Sequence, residues 1–238
     1  MNWFSKLFDG EAQAAVPLSS MQQQLIADWR SLPQAELGRA HHLNRYIVVD
    51  VETTGLNMDK DKLISIGAVA VVNGLIDFHD AFAVVLRQDE VSADENILLH
   101  GIGASAQRDG VSPPDALIAF LQYAGKSPLV AYHARFDQHM IEDAITAHLG
   151  IKLDQAWIDL AAVMPDLFRD HTDEQVDLDY WLSIFGVENI QRHNAVSDAY
   201  ATAQLLQVAM ARGAQRHLET PASFISVEKS FRWMRRNA

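Results

Sequence analysis

The stretch Tyr46-Ile47-Val48-Val49-Asp50-Val51-Glu52-Thr53-Thr54-Gly55-Leu56 constrains most strongly what this chain can become. Its first four residues are β-branched or aromatic and carry no polar interruption, which predicts a buried strand. Two carboxylates follow, one residue apart. In a strand, residues i and i+2 share a face, so Asp50 and Glu52 project side by side from its end. Like charges held this close repel, and each resists desolvation. A hard divalent cation relieves both costs, and carboxylate oxygens suit Mg²⁺ or Mn²⁺. Thr53-Thr54-Gly55 then breaks the strand into a turn whose amides and hydroxyls can hold a ligand. Taken alone, the pattern fits a strand end with solvated acids equally well, so the rest of the chain has to decide.

A second strand, Leu63–Val72, meets a third, Leu75 to about Leu86, across Asn73-Gly74, a strong hairpin signal. Ser112-Pro113-Pro114 opens a helix over Ala116–Tyr123. Pro128–Tyr132 is a short fourth strand, followed directly by His133-Ala134-Arg135-Phe136-Asp137. Asp137 falls in the first turn of a helix running to about His148, where an acid is common for capping and dipole reasons alone. Trp157-Ile158-Asp159-Leu160 is predicted to begin a helical stretch broken at Pro165. Another helix covers Val176–Phe185 and ends at Gly186. The last core helix covers Ala199–Ala211. His193 in the preceding loop and Asp198 at that helix's start are spaced so that they can converge on one point.

With 238 residues, 49% hydrophobic and 21% charged, the chain supports one sizeable core with appendages. Residues 1–44 form an N-terminal helical appendage. Within it, Trp3, Phe4, Leu7 and Phe8 recur at helical spacing, and residues 10–17 read as a linker. Ser19 or Ser20 caps a helix that carries Met21, Leu25 and Trp29 on one face and ends before Pro33. Residues 45–212 form the main domain, and residues 213–238 a basic tail. In the tail, Val227, Phe231 and Met234 recur at amphipathic helical spacing. Lys229, Arg232, Arg235 and Arg236 interleave with Phe231 and Trp233, a combination that can pair phosphates and stack bases. The alternative is that these charges rest against the acidic body. The net charge of −12 argues against a broad basic nucleic-acid footprint, although bound cations can neutralise an acidic site locally. Without cysteine there are no disulfides or thiolate metal sites. No apolar run is long enough to span a bilayer, and the N-terminus lacks the apolar core of a secretory signal. The expected compartment is the cytoplasm.

Three strings together resemble the DEDDh family of 3′→5′ exonucleases, which includes the proofreading epsilon subunit of bacterial DNA polymerase III. They are Val49-Asp-Val-Glu-Thr-Thr-Gly-Leu56, His133-Ala-Arg-Phe-Asp137 and His193-Asn-Ala-Val-Ser-Asp-Ala-Tyr-Ala-Thr-Ala203. His100-Gly101-Ile102 and Asp159-Leu160 match family positions as well. The resemblance covers roughly residues 45–211 and marks 45–212 as a DEDDh exonuclease domain. It implies an α/β, ribonuclease H-like fold, with a central mixed five-stranded sheet flanked by helices.

The resemblance also implies phosphodiester hydrolysis with two divalent cations, Mg²⁺ or Mn²⁺. Asp50, Glu52 and Asp198 would hold the first; Asp50 would bridge to the second, which Asp137 supports. His193 would take the proton of the attacking water, a role that suits an imidazole near neutral pH. Val51, Thr53, Thr54, Gly55, Leu56, His100, His133 and Phe136 would bind the terminal nucleotide. The chain departs from the family pattern at His133, where Asn is usual, and at Gly103, where Thr is usual, and both departures bear on substrate contacts. The expected substrate is the 3′ end of single-stranded DNA, with release of 5′-mononucleotides. The same chemistry would serve an exoribonuclease or an oligonucleotidase, and a catalytically idle interaction module is a third reading, disfavoured by the presence of all five motif residues. No polymerase domain is legible, so proofreading would need a polymerase or other replication partner, which the sequence does not identify. No membrane association is expected.

Overall fold

The structure, a computed structural model, describes residues 17–236. The apolar face expected from Trp3, Phe4, Leu7 and Phe8, and all but the end of the expected linker, lie outside the described residues.

Five strands form one sheet in the order β3-β2-β1-β4-β5. They are β1 (Arg45–Thr53), β2 (Leu63–Val72), β3 (Leu75–Val85), β4 (Leu129–Ala131) and β5 (Trp157–Asp159). β1 pairs antiparallel with β2 and parallel with β4, so it runs through the middle of the sheet. β3 pairs antiparallel with β2, and β5 pairs parallel with β4. A central strand is covered on both faces, which is why Tyr46–Val49 is continuously apolar rather than alternating. Asn73 and Gly74 both adopt positive φ (54° and 75°), the backbone that a tight two-residue hairpin demands.

Alternation along β1 sends its side chains into two cores. Ile47, Val49 and Val51 pack under α1 (Ser20–Arg30), α4 (Pro113–Ala124) and α5 (Arg135–Leu149). Tyr46 and Val48 pack under α6 (Leu160–Leu167), α7 (Leu178–Phe185) and α8 (Ala195–Ala214). By the same alternation, Asp50 and Glu52 leave β1 on the α8 side. Gly67 on β2 pairs with Asp50. A Cβ at Gly67 would lie 2.3 Å from the backbone of Ala195 and Val196, so the missing side chain lets the start of α8 rest on the sheet next to Asp50.

Several expectations are corrected. Trp157–Asp159 is the fifth strand, not the start of a helix. Three residues are too few to show a period, and pairing with β4 decides the conformation. α6 starts at Leu160 and continues through Pro165. The stretch Glu95–Asp109, for which the sequence predicts no element, contains the end of α2 (Asp94–His100) and the short helix α3 (Ala104–Arg108). α1 is capped by Ser19 in a reciprocal capping box with Gln22. Its buried residues are Ile26 and Trp29, whereas Met21 is 75% exposed, because the helix meets α4 along a rotated face.

The C-terminal segment is α9 (Pro221–Arg236), which packs on α6 and β5. Phe224 and Phe231 are buried, Arg232 is ion-paired with Asp159, and Arg235 lies over the Phe231 ring. Phe231 and Arg232 are therefore not available to stack bases or pair phosphates, because both are spent on packing α9 to the body. The division drawn at residue 212 falls inside α8. Among the described residues, no helix is long and apolar enough to cross a membrane.

Candidate active site

The C-terminal ends of the interior strands β1 and β4 and the first turns of α5 and α8 meet at one end of the sheet. β1 brings Asp50 and Glu52 there, and α8 brings Asp198 onto the same side. Each of the three offers a carboxylate oxygen within 4.8 Å of the others. Asp137, in the first turn of α5, is buried beside them, and its carboxylate accepts hydrogen bonds from the backbone N–H groups of Val51 and of Asp137 itself. It lies outside the group of three.

Crowded acids should resist ionisation, and Asp50, Glu52 and Asp137 do. Burial, followed by the charges of Asp137, Asp198 and Glu52, holds the Asp50 carboxyl well above the usual carboxylate range. Burial and then Asp198 push Glu52 up to about 7. Burial raises Asp137 as well, with Asp159 adding to it. Such a set can be relieved by protons or by a divalent cation. All the donors are hard oxygens, so the acidic cluster fits a cation of the Mg²⁺ or Mn²⁺ kind rather than a thiophilic metal.

Sequence reasoning missed Arg192. Its Nη1 lies 2.6 Å from Asp198 Oδ1, and its Nε lies 2.9 Å from Asp179 Oδ1 on α7. The guanidinium opposes the raised values of both Asp50 and Glu52. Asn189 also donates to Asp198 Oδ1, and the His193 N–H donates to Oδ2 at 2.8 Å. Both oxygens of Asp198 thus hold the loop 189–193 against α8. The available signal was a lone cation directly before the histidine of a motif in an acidic chain. His193 has φ +59°, an uncommon backbone for a non-glycine residue, and its N–H to Asp198 helps to hold it there.

The turn after β1 is tightly tied. Thr53 Oγ1 donates to the Gly55 carbonyl at 2.6 Å, and Thr54 Oγ1 donates to Asp61 at 2.8 Å while accepting the Lys62 N–H at 2.9 Å. Asn96 of α2 donates to the Thr54 carbonyl. The two hydroxyl protons are spent on the turn itself, contrary to the expectation that they serve a ligand. Asp61, another residue missed, explains Gly55: a Cβ there would lie 2.6 Å from its carboxylate. Leu56 at the tip is 87% exposed.

The remaining expected residues divide. Val51 is buried in the core and offers the site its N–H rather than its side chain, and Phe136 packs partly buried against the same core. His133 is exposed, has φ +60°, and meets the Tyr132 ring edge-on. His100 is buried, and burial lowers its pKa, so its imidazole is neutral. Its Nδ1 accepts the Ile102 N–H at 3.0 Å, which leaves the proton on Nε2. That buried Nε2 has no hydrogen-bond partner among the described residues, and His100 lines a cleft of about 190 Å³ with Glu52, Ser65, Gly67 and Asn194.

Comparison with known proteins gives a consistent picture. The family model described as exonuclease matches residues 47–206. The chain is 31% identical over 160 residues to a DNA polymerase III PolC-type protein of Caldanaerobacter subterraneus subsp. tengcongensis, covering 67% of this chain and 11% of that protein. It therefore spans only a small part of that relative's length. Exonuclease I of E. coli in complex with a dT13 oligonucleotide superposes with a TM-score of 0.61 at 17% identity, covering 73% of this chain and 42% of that one. Exonuclease X in complex with 5′ overhanging duplex DNA gives a TM-score of 0.61 at 19% identity, covering 77% of this chain and 99% of that one. At these identities the two structures bear on the fold, and they share it.

Proposed function

The chain belongs to the exonuclease family, which makes it a hydrolytic nuclease, and on that premise we propose that it is a metal-dependent 3′→5′ exonuclease of single-stranded DNA, releasing 5′-mononucleotides. The observation that carries this reading is the convergence of Asp50, Glu52 and Asp198 within 4.8 Å of one another at the end of the central strand. In this reading Asp50, Glu52 and Asp198 hold one Mg²⁺ or Mn²⁺, and Asp50 with Asp137 holds a second. When bound, the cations supply Lewis-acid polarisation of the scissile phosphate and compensation for the charge on the leaving 3′ oxygen.

The chain's own residues do the rest. His193 accepts the proton of the attacking water, and its tie to Asp198 keeps it beside the carboxylates. The rigid turn Thr53–Leu56 receives the terminal nucleotide, with the exposed Leu56 side chain against its base. His100 presents its Nε2–H as a donor to a substrate oxygen, which would satisfy an atom otherwise buried without a partner. His133 and Phe136 flank the same end. Support for DNA as the substrate comes from exonuclease I and exonuclease X, whose structures hold an oligonucleotide and a duplex with an overhang. A polymerase is the proposed partner for a proofreading role, in keeping with the name of the polymerase relative.

The test uses end-labelled linear single-stranded DNA, a matched RNA and a circular single strand, each with Mg²⁺ or Mn²⁺ and with excess chelator. Expected are shortening of linear DNA from its 3′ end, 5′-mononucleotide products, resistant circles and silence in chelator. Circles cut as fast as linear strands would make the protein an endonuclease. Faster loss of RNA would make it an exoribonuclease, and robust hydrolysis in chelator would remove the metals.

A further inference from the structure

We propose that α9 is a working part of the active site, because Arg232, by neutralising buried Asp159, holds the turn that carries His133 and Asp137. Helix α9 lies beyond the residues that match the family, 47–206. Phe224 and Phe231 bury it on the body, and Arg232 then reaches the end of β5. Its Nη2 lies 2.7 Å from Asp159 Oδ2, and its Nε lies 3.0 Å from Glu228 Oε1. Glu228, one turn earlier on α9, accepts the Asp159 N–H through Oε2 at 3.0 Å. Residues 69 and 73 positions away thus fix both the backbone and the side chain of Asp159.

The other oxygen of Asp159 faces the site. Oδ1 accepts the Ala134 N–H at 3.2 Å and the Ala161 N–H at 3.0 Å. Ala134 joins His133, whose backbone is left-handed, to the first turn of α5, where Asp137 stands. A left-handed non-glycine residue persists only where its surroundings enforce it. Asp159 is 2% exposed, so its carboxylate is held away from water. Without Arg232, a buried carboxylate would stand next to Asp137 with no cation on it. A buried carboxylate that has lost this ion pair shifts in search of another partner, and the shift loosens its hold on Ala134. Arg232 is therefore a positioning residue. It acts through Asp159 and touches neither substrate nor metal.

This inference rests on the reading of Asp137 as a metal-site carboxylate, and the experiment separates the two. The full chain is compared with Arg232→Gln, Asp159→Asn/Arg232→Gln, Arg232→Lys and Asp137→Asn. For each folded variant, Mn²⁺ binding is followed without substrate by the electron paramagnetic resonance of free Mn²⁺. The Mn²⁺ concentration giving half-maximal hydrolysis is measured separately. Arg232→Gln is expected to need roughly tenfold more Mn²⁺ and to bind it correspondingly more weakly, the scale for loss of a residue supporting a metal ligand. The double variant is expected to recover, because the amide oxygen introduced by Asp159→Asn accepts the Ala134 N–H without needing a countercharge. Weaker Mn²⁺ binding by a variant that stays folded is not expected of a residue that only stabilises the fold. A folded Arg232→Gln with wild-type Mn²⁺ dependence overturns the proposal, and so does a double variant no better than the single. If Arg232→Gln does not fold, Arg232→Lys is judged by the same Mn²⁺ criterion. If Asp137→Asn leaves Mn²⁺ binding unchanged, the underlying reading of Asp137 fails, whatever the Arg232 variants do.

Discussion

Arg192 Nη1 and Asp198 Oδ1 are 2.6 Å apart, so a protein cation engages a carboxylate that the proposed metal also needs. Both positive charges would lower the same repulsion among Asp50, Glu52 and Asp198, and they would share one carboxylate. Arg192→Gln is expected to tighten Mn²⁺ binding by roughly tenfold, equivalent to about 1.4 kcal/mol. It is also expected to lower the melting temperature of the metal-free protein at pH 8, because Asp198 loses its partner. Calorimetric Mn²⁺ titration and melting in chelator measure the two effects. Weaker or unchanged binding would mean that the guanidinium does not oppose the metal.

Asp50 and Asp198 are expected to behave differently when neutralised, although both should be needed for activity. Asp50→Asn removes a repelling charge, so the metal-free protein should melt higher at pH 8. Asp198→Ala removes the acceptor for Asn189, Arg192 and the His193 N–H, so it should melt lower. The sequence alone suggests that removing either acid relieves charge, whereas the hydrogen bonds of Asp198 reverse its sign. Hydrolysis should fall by about 10³-fold or more in each, on the scale of losing charge stabilisation in a transition state. Equal shifts in melting temperature would contradict this account.

The metal-free protein should be more stable in mild acid than in mild base. The folded-state pKa of Glu52, about 7, lies above the unfolded value of roughly 4.3. Its contribution is therefore fully present below the unfolded value and is lost as the pH rises through about 7. Asp50 and Asp137 are raised in the same direction. Melting in chelator at pH 5.5 and pH 8 should give the higher temperature at pH 5.5, and Glu52→Gln should narrow the gap. Added Mn²⁺ should act mainly at pH 8, where Glu52 has lost its proton. A higher melting temperature at pH 8 in chelator would refute the proton as the relieving charge.

His193 has a left-handed backbone, so His193→Asn is a cleaner variant than His193→Ala: asparagine tolerates φ +59° with little strain. Turnover should fall by about 10²–10⁴, the usual worth of a general base. Mn²⁺ affinity should stay nearly the same, since the bond from the backbone N–H to Asp198 survives the change. Loss of metal binding in step with activity would make His193 a ligand instead.

The sequence by itself determined the features that act over a few residues. The β-branched run marked β1, Asn73-Gly74 marked the hairpin of β2 and β3, and the spacing of Asp50 and Glu52 put two acids on one face of a strand. These follow from local backbone geometry, which neighbouring residues dictate. The five-stranded sheet came from family resemblance rather than from periodicity, because β5 is three residues long and forms only by pairing with β4. Tertiary structure alone decided which charges answer the acidic cluster. Gly67 meets Ala195 across 128 residues of chain, Arg192 folds back onto Asp198, and Arg232 crosses 73 residues to reach Asp159. No local pattern records such meetings, since an ion pair depends on where packing leaves two side chains, and the same arginine would read as an ordinary solvated charge in any sequence window.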